Sequence, residues 1–266
     1  MENIHTLIIP DVHGRTFWKY AIQQYPIEKY PDIKIIFLGD YLDPYTSFEG
    51  ITKNEAIMNF VDIIDIAKKD NRIVLLLGNH DYHYLYHNDN CRIDLMNYDT
   101  IKHIFNENID MFNIAYEENI NNKTYLYTHA GVTQNWLNII KTNIDKILKE
   151  LTDEEKQYYK NYISSFKPNS FYLNRLSKSE YGINLLFMIS HERGGWHRYG
   201  SCIWADIHEH FYDGAKLEDD NIFQIFGHTL GYPELDKEYI DYDKNIAMLD
   251  SRCAWILTND GKFYNI

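Results

Sequence analysis

Histidine, aspartate and asparagine fall in five short clusters of this 266-residue sequence, and each cluster directly follows an apolar run. In chain order they are Asp11-Val12-His13-Gly14, Gly39-Asp40-Tyr41-Leu42-Asp43, Gly78-Asn79-His80-Asp81, Thr128-His129-Ala130-Gly131 and Gly227-His228-Thr229. Imidazole nitrogens with carboxylate and amide oxygens form a donor set suited to a hard-to-borderline divalent metal. Asp11 and His13 are two apart, so in extended chain both point to one face. Asp40 is anionic and has two oxygens, enough to bridge two ions. Asn79 is a neutral ligand and limits the negative charge. Two divalent ions would outweigh the carboxylates of Asp11 and Asp40, leaving a positive pocket suited to a phosphate. Gly14, Gly39, Gly78, Gly131 and Gly227 remove Cβ atoms where the backbone must turn sharply or approach an ion. Any one cluster alone is ordinary turn chemistry; five in one order, each after a strand, are not.

The elements that must position these clusters are readable too. Thr6–Ile9, Lys34–Leu38, Arg72–Leu77 and Lys123–Tyr127 read as strands, and so do Phe223–Phe226, Ile246–Leu249 and Ala254–Thr258. Arg15 to Tyr25 reads as a helix. Thr52-Lys53-Asn54-Glu55 is a capping box, opening a helix with Ile57, Phe60, Val61 and Ile64 on one face. Gln134 to Leu186 is mostly helical, with Trp136, Ile140, Ile144 and Ile147 on one face and a second capping box at Thr152 and Glu155. Helix-separated strands followed by closely spaced ones predict a layered α/β (α+β) fold around mixed sheets. Loops at the carboxyl ends of sheet strands are where such folds build their sites. No repeat or linker divides the chain, so a single domain over 1–266 is expected, with a helical insertion at about 134–190 packed against one edge.

Together DVHG, GDYLD, GNHD, THAG and FGHT resemble the metallophosphoesterases, and specifically the phosphoprotein phosphatase branch with its bacterial and phage members. The resemblance spans residues 11 to 229, with 246–266 fitting the family's closing sheet. It implies a β-sandwich wrapped by helices. It also implies that Asp11, His13 and Asp40 hold a first metal, while the bridging Asp40, Asn79, His129 and His228 hold a second. His80 would be the general acid, oriented by Asp43, and a water between the two ions would attack phosphorus. Manganese is the implied metal, with iron or zinc as alternatives. Leu230 stands where the diesterases of the superfamily carry a second histidine, which favours the phosphatase branch, including its serine/threonine phosphatases. One departure is that Pro44 follows Asp43, where the branch has an arginine that clamps phosphate. Arg193, in His191-Glu192-Arg193-Gly194, resembles the branch's later Arg-Gly element and is the expected phosphate contact, ahead of Arg198 and Arg252. Trp204-Ala205-Asp206 resembles its Trp-x-Asp segment.

Composition narrows the partners. Net charge is −13, which disfavours a duplex-binding protein that works by phosphate neutralisation. Cys91, Cys202 and Cys253 are odd in number and widely spaced, so reduced thiols are expected rather than a disulfide framework. The first residues lack a basic signal-peptide region, and no apolar run approaches the length of a membrane helix, so a cytoplasmic chain is expected. His83, His87, His208 and His210 read as solvated surface histidines, and Tyr82, Tyr84 and Tyr86 as packing. The substrate read this way is a phosphorylated protein or small molecule. A dinucleoside polyphosphate hydrolase and a non-catalytic phospho-ligand module are the rival readings.

Overall fold

The computed structural model describes residues 4–86, 92–150, 152, 153, 156, 168–230 and 237–266. In the first sheet β1 (Ile4–Ile9), β2 (Lys34–Phe37), β3 (Ile73–Leu76) and β4 (Phe112–Asn113) run parallel. Two later strands, β10 (Trp255–Thr258) and β11 (Phe263–Asn265), extend it antiparallel in the order β11-β10-β1-β2-β3-β4. The second sheet joins β5 (Ala115–Ile120), β6 (Lys123–Thr128), β7 (Ile222–Phe226), β8 (Tyr239–Asp241) and β9 (Ile246–Met248) in the order β5-β6-β7-β9-β8. In it β6, β7 and β9 are parallel, and the outer pairs antiparallel.

Alternation along the strands explains how the two sheets meet. Ile8, Ile36, Leu38 and Leu76 of the first sheet cluster with Tyr125, Tyr127, Phe223, Ile225 and Ala247 of the second. Their neighbours Leu7, Ile9, Ile35, Phe37 and Leu75 point the other way, into a cluster shared with the helices. A period of two on fully buried strands requires apolar residues at both parities, which is why these strands read as unbroken apolar runs.

The helices α1 (Phe17–Gln24), α2 (Thr46–Glu49), α3 (Lys53–Ala67), α4 (Asn79–Tyr86) and α5 (Tyr98–Glu107) belong to the first half. The capping box at Thr52 is formed in both directions: its hydroxyl accepts from Glu55 N at 3.2 Å, and Glu55 accepts from Thr52 N at 2.8 Å. The buried face of α3 is rotated from the expected one. Ala56, Asn59, Phe60, Ile63 and Ile64 are buried, whereas Val61 is 36% exposed. Asn59 takes an inward position because its amide bonds Trp18 Nε1 and Arg15 O, which an apolarity pattern does not register.

Among the described residues the later helices are α6 (Gln134–Thr142), α7 (Ile144–Lys149), α8 (Ser170–Leu176) and α9 (Glu180–Leu186). Trp136, Ile140 and Ile147 are fully buried on the expected face, and Ile144 is half-buried. Asn174 of α8 accepts from the amides of Ile114 and Ala115 and donates to Ala115 O, so the helical stretch docks on the β5 edge. Glu155 of the second expected capping box lies outside the described residues, as do Cys91 and His87. Strand β5 went unexpected because AYEENI carries two glutamates. They are satisfied: Glu118 takes hydrogen bonds from Thr6 and Tyr127, and Glu117 accepts from Ser170 N. Asn121 and Asn122, both left-handed, make the tight turn into β6. Among the described residues no helix is long and apolar enough to cross a membrane.

Candidate active site

All five clusters leave the carboxyl ends of parallel strands: β1, β2 and β3 of one sheet, β6 and β7 of the other. The site therefore lies where the same ends of two packed sheets meet. The chain must turn at once to bring each side chain inward. His13, Asp40 and His228 do so in left-handed backbone, at φ of 43°, 52° and 68°, a region uncommon for residues with a side chain and concentrated at functional sites. A Cβ on Gly78 would stand 2.1 Å from Asp40 Oδ1, and one on Gly227 equally close to Asp11 Oδ1. Glycine at these two positions makes room for the carboxylates.

Asp81, the last residue of the third cluster, locks two loops together. Its fully buried carboxylate accepts from Asp40 N at 2.7 Å, Tyr41 N at 3.0 Å and Gly78 N at 2.8 Å. Asp40 Oδ1 in turn accepts from His80 N at 2.9 Å, and Asp11 Oδ1 from His228 N at 2.9 Å. Candidate ligands on different strands thus hold one another's backbones.

Around this frame the donor atoms converge. Those of His13, Asp40 and His80 lie within 4.8 Å of one another, and so do those of Asp40, His129 and His228. Asp40 belongs to both groups. Asp11 falls in neither, and its carboxylate sits beside the second through the His228 amide. Asn79 joins the second group with Oδ1 3.0 Å from His129 Nε2.

These residues fit divalent cations on the chemistry of the pairs. His129 Nδ1 lies 2.9 Å from Leu38 O and must donate to it, leaving a lone pair on Nε2 in the neutral ring. That lone pair faces Asn79 Oδ1, His228 Nδ1 at 3.0 Å and Asp40 Oδ2 at 3.5 Å. His13 repeats the pattern: Nδ1 donates to Leu42 O at 2.8 Å, and Nε2 faces Asp40 Oδ2 at 3.6 Å. Burial lowers the His13 pKa to about 3, against the pull of Asp40, and drives that of His228 well below the usual imidazole value. Both imidazoles are therefore neutral donors. Burial also pushes Asp40 upward, but attraction to the histidines around it, His129 first, and the hydrogen bond from His80 N outweigh it and hold the carboxyl at about 2. Buried lone pairs facing one another are costly without a cation between them. The buried Nε2 of His228 likewise lacks a hydrogen-bond partner.

His80 carries a different kind of contact. Its Nδ1 lies 2.9 Å from Asp43 Oδ2, and the other Asp43 oxygen accepts from Tyr84 OH at 2.6 Å. Its ring meets that of His13 edge-on at 5.1 Å. Asp43, in left-handed backbone, thus fixes which imidazole nitrogen faces the cavity.

The cavity above these groups holds about 240 Å³ and is lined by His13, Asp40, Asn79, His80, His228 and Asp250, with Tyr45, Arg92, Arg193 and Trp204 around them. Arg193 Nε stands 2.8 Å from Asp206 Oδ2, out of hydrogen-bond alignment. Its terminal nitrogen donates to Thr229 Oγ1 at 2.6 Å and to His228 O at 3.3 Å. Arg198 stacks on Tyr199 and Arg252 lies 3.6 Å from Glu49, and neither lines the cavity. Arg92, Tyr45 and Asp250 carried no local signal. Asp250 is a buried carboxyl raised by burial and by Asp11, with one oxygen lacking a hydrogen bond.

Two histidine expectations are corrected. His83 is fully buried, edge-on to Trp204 at 5.6 Å, and His210 is buried, stacked on Phe226 at 4.7 Å. Asn79 to Leu85 are all buried in α4, and His210 is buried with Ile207 and Glu209 on a short 3-10 turn, so polar residue types disguised both elements as surface. His208 is largely exposed and bonds Asp206 at 2.6 Å. Cys202 and Cys253 are free thiols, the first buried.

Two packed mixed sheets with metal-type donors at their shared carboxyl edge define a metal-dependent hydrolase site. The calcineurin-like phosphoesterase profile matches residues 4–232, and the chain belongs to that family of metal-dependent phosphoester hydrolases. A solved structure described as a "putative diadenosine tetraphosphatase" is similar over 100% of this chain and 94% of its own, at 12% identity and a TM-score of 0.47. No curated protein matches the sequence.

Proposed function

We propose that the chain is a phosphomonoesterase of the phosphoprotein phosphatase branch, acting on phosphorylated proteins or small molecules. The observation that carries this reading is Asp40, whose carboxylate faces both ligand groups at once. Asp11, His13 and Asp40 would hold one ion, and Asp40, Asn79, His129 and His228 the other, with manganese the first candidate. Divalent ions there supply Lewis acidity and offset the charge of a phosphate. Water attacks phosphorus in line. His80, kept in its tautomer by Asp43, gives its proton to the leaving alkoxide. Arg193 binds phosphate oxygens and stabilises the charge that grows on them. Residues 1–266 form one domain with the helical stretch as an insertion, and the protein works in the cytoplasm.

Monoester preference follows from charge, because a monoester dianion carries one more negative charge than a diester. The test is kcat/KM on p-nitrophenyl phosphate against bis-p-nitrophenyl phosphate at matched manganese. Preference for the monoester is expected, and preference for the diester overturns the branch assignment. A phosphopeptide set against diadenosine tetraphosphate then separates the two substrate classes.

A further inference from the structure

The second cluster ends in Asp43-Pro44, so no guanidinium can reach the cavity from position 44. The structure brings one to the same place from another loop. Arg92 lies between α4 and α5, and its terminal nitrogen donates to Asp43 O at 3.1 Å, the carbonyl joined to Pro44. Its guanidinium carbon sits 3.8 Å from the centroid of the Tyr45 ring, the position of a cation–π contact. Tyr45 meets His13 edge-on at 5.3 Å. Arg92 therefore stands over the His13 and His80 end of the cavity, while Arg193 is anchored at the His228 and Thr229 end. We infer that Arg92 is a second phosphate-binding arginine, taking the role that Pro44 cannot fill and making the pocket select dianionic terminal phosphates.

Three features support this. The first is charge: Arg193 stands against Asp206, whereas among the described residues no carboxylate pairs with Arg92. Its bonded partners are a neutral carbonyl and a ring face, so its positive charge is available to an anion. The second is donor geometry. A guanidinium has five N–H donors in a planar fork, and only one is assigned to Asp43 O. The third is placement. Asp94 N donates to Tyr84 OH at 2.8 Å, and Tyr84 OH donates to Asp43. Lys53 pairs with Asp94 at 3.2 Å. One short chain of contacts thus fixes both the carboxylate that orients His80 and the backbone two residues from Arg92.

The inference rests on the phosphatase reading of the site, and its test separates the two. Manganese-loaded full-length Arg92→Ala and Arg92→Lys are compared with the parent protein for manganese content, for inorganic phosphate binding by calorimetry and for turnover of both nitrophenyl esters. Arg92→Ala is expected to keep its manganese. It should bind phosphate roughly 10–100-fold more weakly, the worth of one or two charge-assisted bonds. Its kcat/KM should fall by a similar factor on the monoester and by clearly less on the diester. Arg92→Lys, which keeps the charge and loses the fork, should fall between, and millimolar guanidinium should partly restore Arg92→Ala. Parent-like phosphate affinity in Arg92→Ala overturns the inference, as does an equal loss on both esters without guanidinium rescue. A parent protein that prefers diesters would instead sink the phosphatase reading, while phosphate binding still reports on Arg92. Should Arg92→Ala fail to fold, Arg92→Lys alone decides, since undiminished phosphate affinity in it contradicts a fork.

Discussion

The floor of the cavity and its rim are built on different terms. Floor residues sit one to four positions beyond buried parallel strands, and their backbones are tied by Asp81, Asp40 and Asp11. Rim residues come from loops: Arg92 from between two helices, Arg193 from a short 3-10 turn, Tyr45 from the start of α2. Their side-chain contacts are one or two hydrogen bonds for each arginine, one ion pair and ring faces. The floor is a frame set by β-sheet geometry, whereas the rim depends on how separate loops happen to close. Chemistry that must hold metal belongs on the first, and discrimination between phosphates can be assigned to the second.

The sharpest way to break this contrast is Asp40→Asn. It removes the shared charge of both ligand groups while preserving shape. Metal content by elemental analysis and turnover are expected to fall together, by more than the roughly 10–100-fold that loss of a partner behind a ligand costs. A purified variant with two metals and full turnover shows that Asp40 is not shared. His80→Ala tests the group proposed as the general acid rather than as a metal ligand. It should keep its metal and lose about 10²–10⁴ in kcat on an alkyl phosphate. The loss should shrink on p-nitrophenyl phosphate, whose leaving group needs no proton. Equal losses on both esters contradict the general-acid role.

What could be read in the sequence follows the same division. Each floor cluster stands in line with an apolar run, so residue type, strand and position are all local. Rim residues lack that link. Arg92 is separated from Asp43 by α2, α3, β3 and α4 in the chain, and nothing around it spells out a motif. Asp81 stands within the third cluster, yet its structural task depends on amides of the loop after another strand. Strand β5 was hidden for a related reason, since its glutamates are satisfied by residues of β1, β6 and α8. Buried polar residues with distant partners are what local pattern cannot find, and His83 and His210 were misread as surface for that reason.

His210 gives the smallest and most separable test, because it supports the floor from behind without lining the cavity. Its ring stacks on Phe226, and its Nε2 lies 3.2 Å from Ala130 O, next to His129. Burial lowers its pKa to about 4, against the pull of Ala130 O and Asp206. An unfolded chain takes up this proton near the ordinary imidazole value of about 6.5. Between those two values the unfolded state binds the extra proton and the folded state does not. Stability from this residue is therefore full above about pH 6.5, declines as pH falls toward 4, and changes no further below that. The decline amounts to about 3 kcal/mol as an upper figure. His210→Gln removes the titration while keeping a side-chain donor for Ala130 O. Urea midpoints of the metal-free proteins, measured from pH 8 to 4, should show the parent losing stability faster than the variant. At pH 8 the variant should be less stable by about 1 kcal/mol, from a weakened hydrogen bond and the lost ring stack. Monoester kcat/KM at pH 8 should be unchanged. Parallel stability curves would mean that His210 titrates alike in the folded and unfolded chain, and that the wall behind His129 is more open to water than its burial implies.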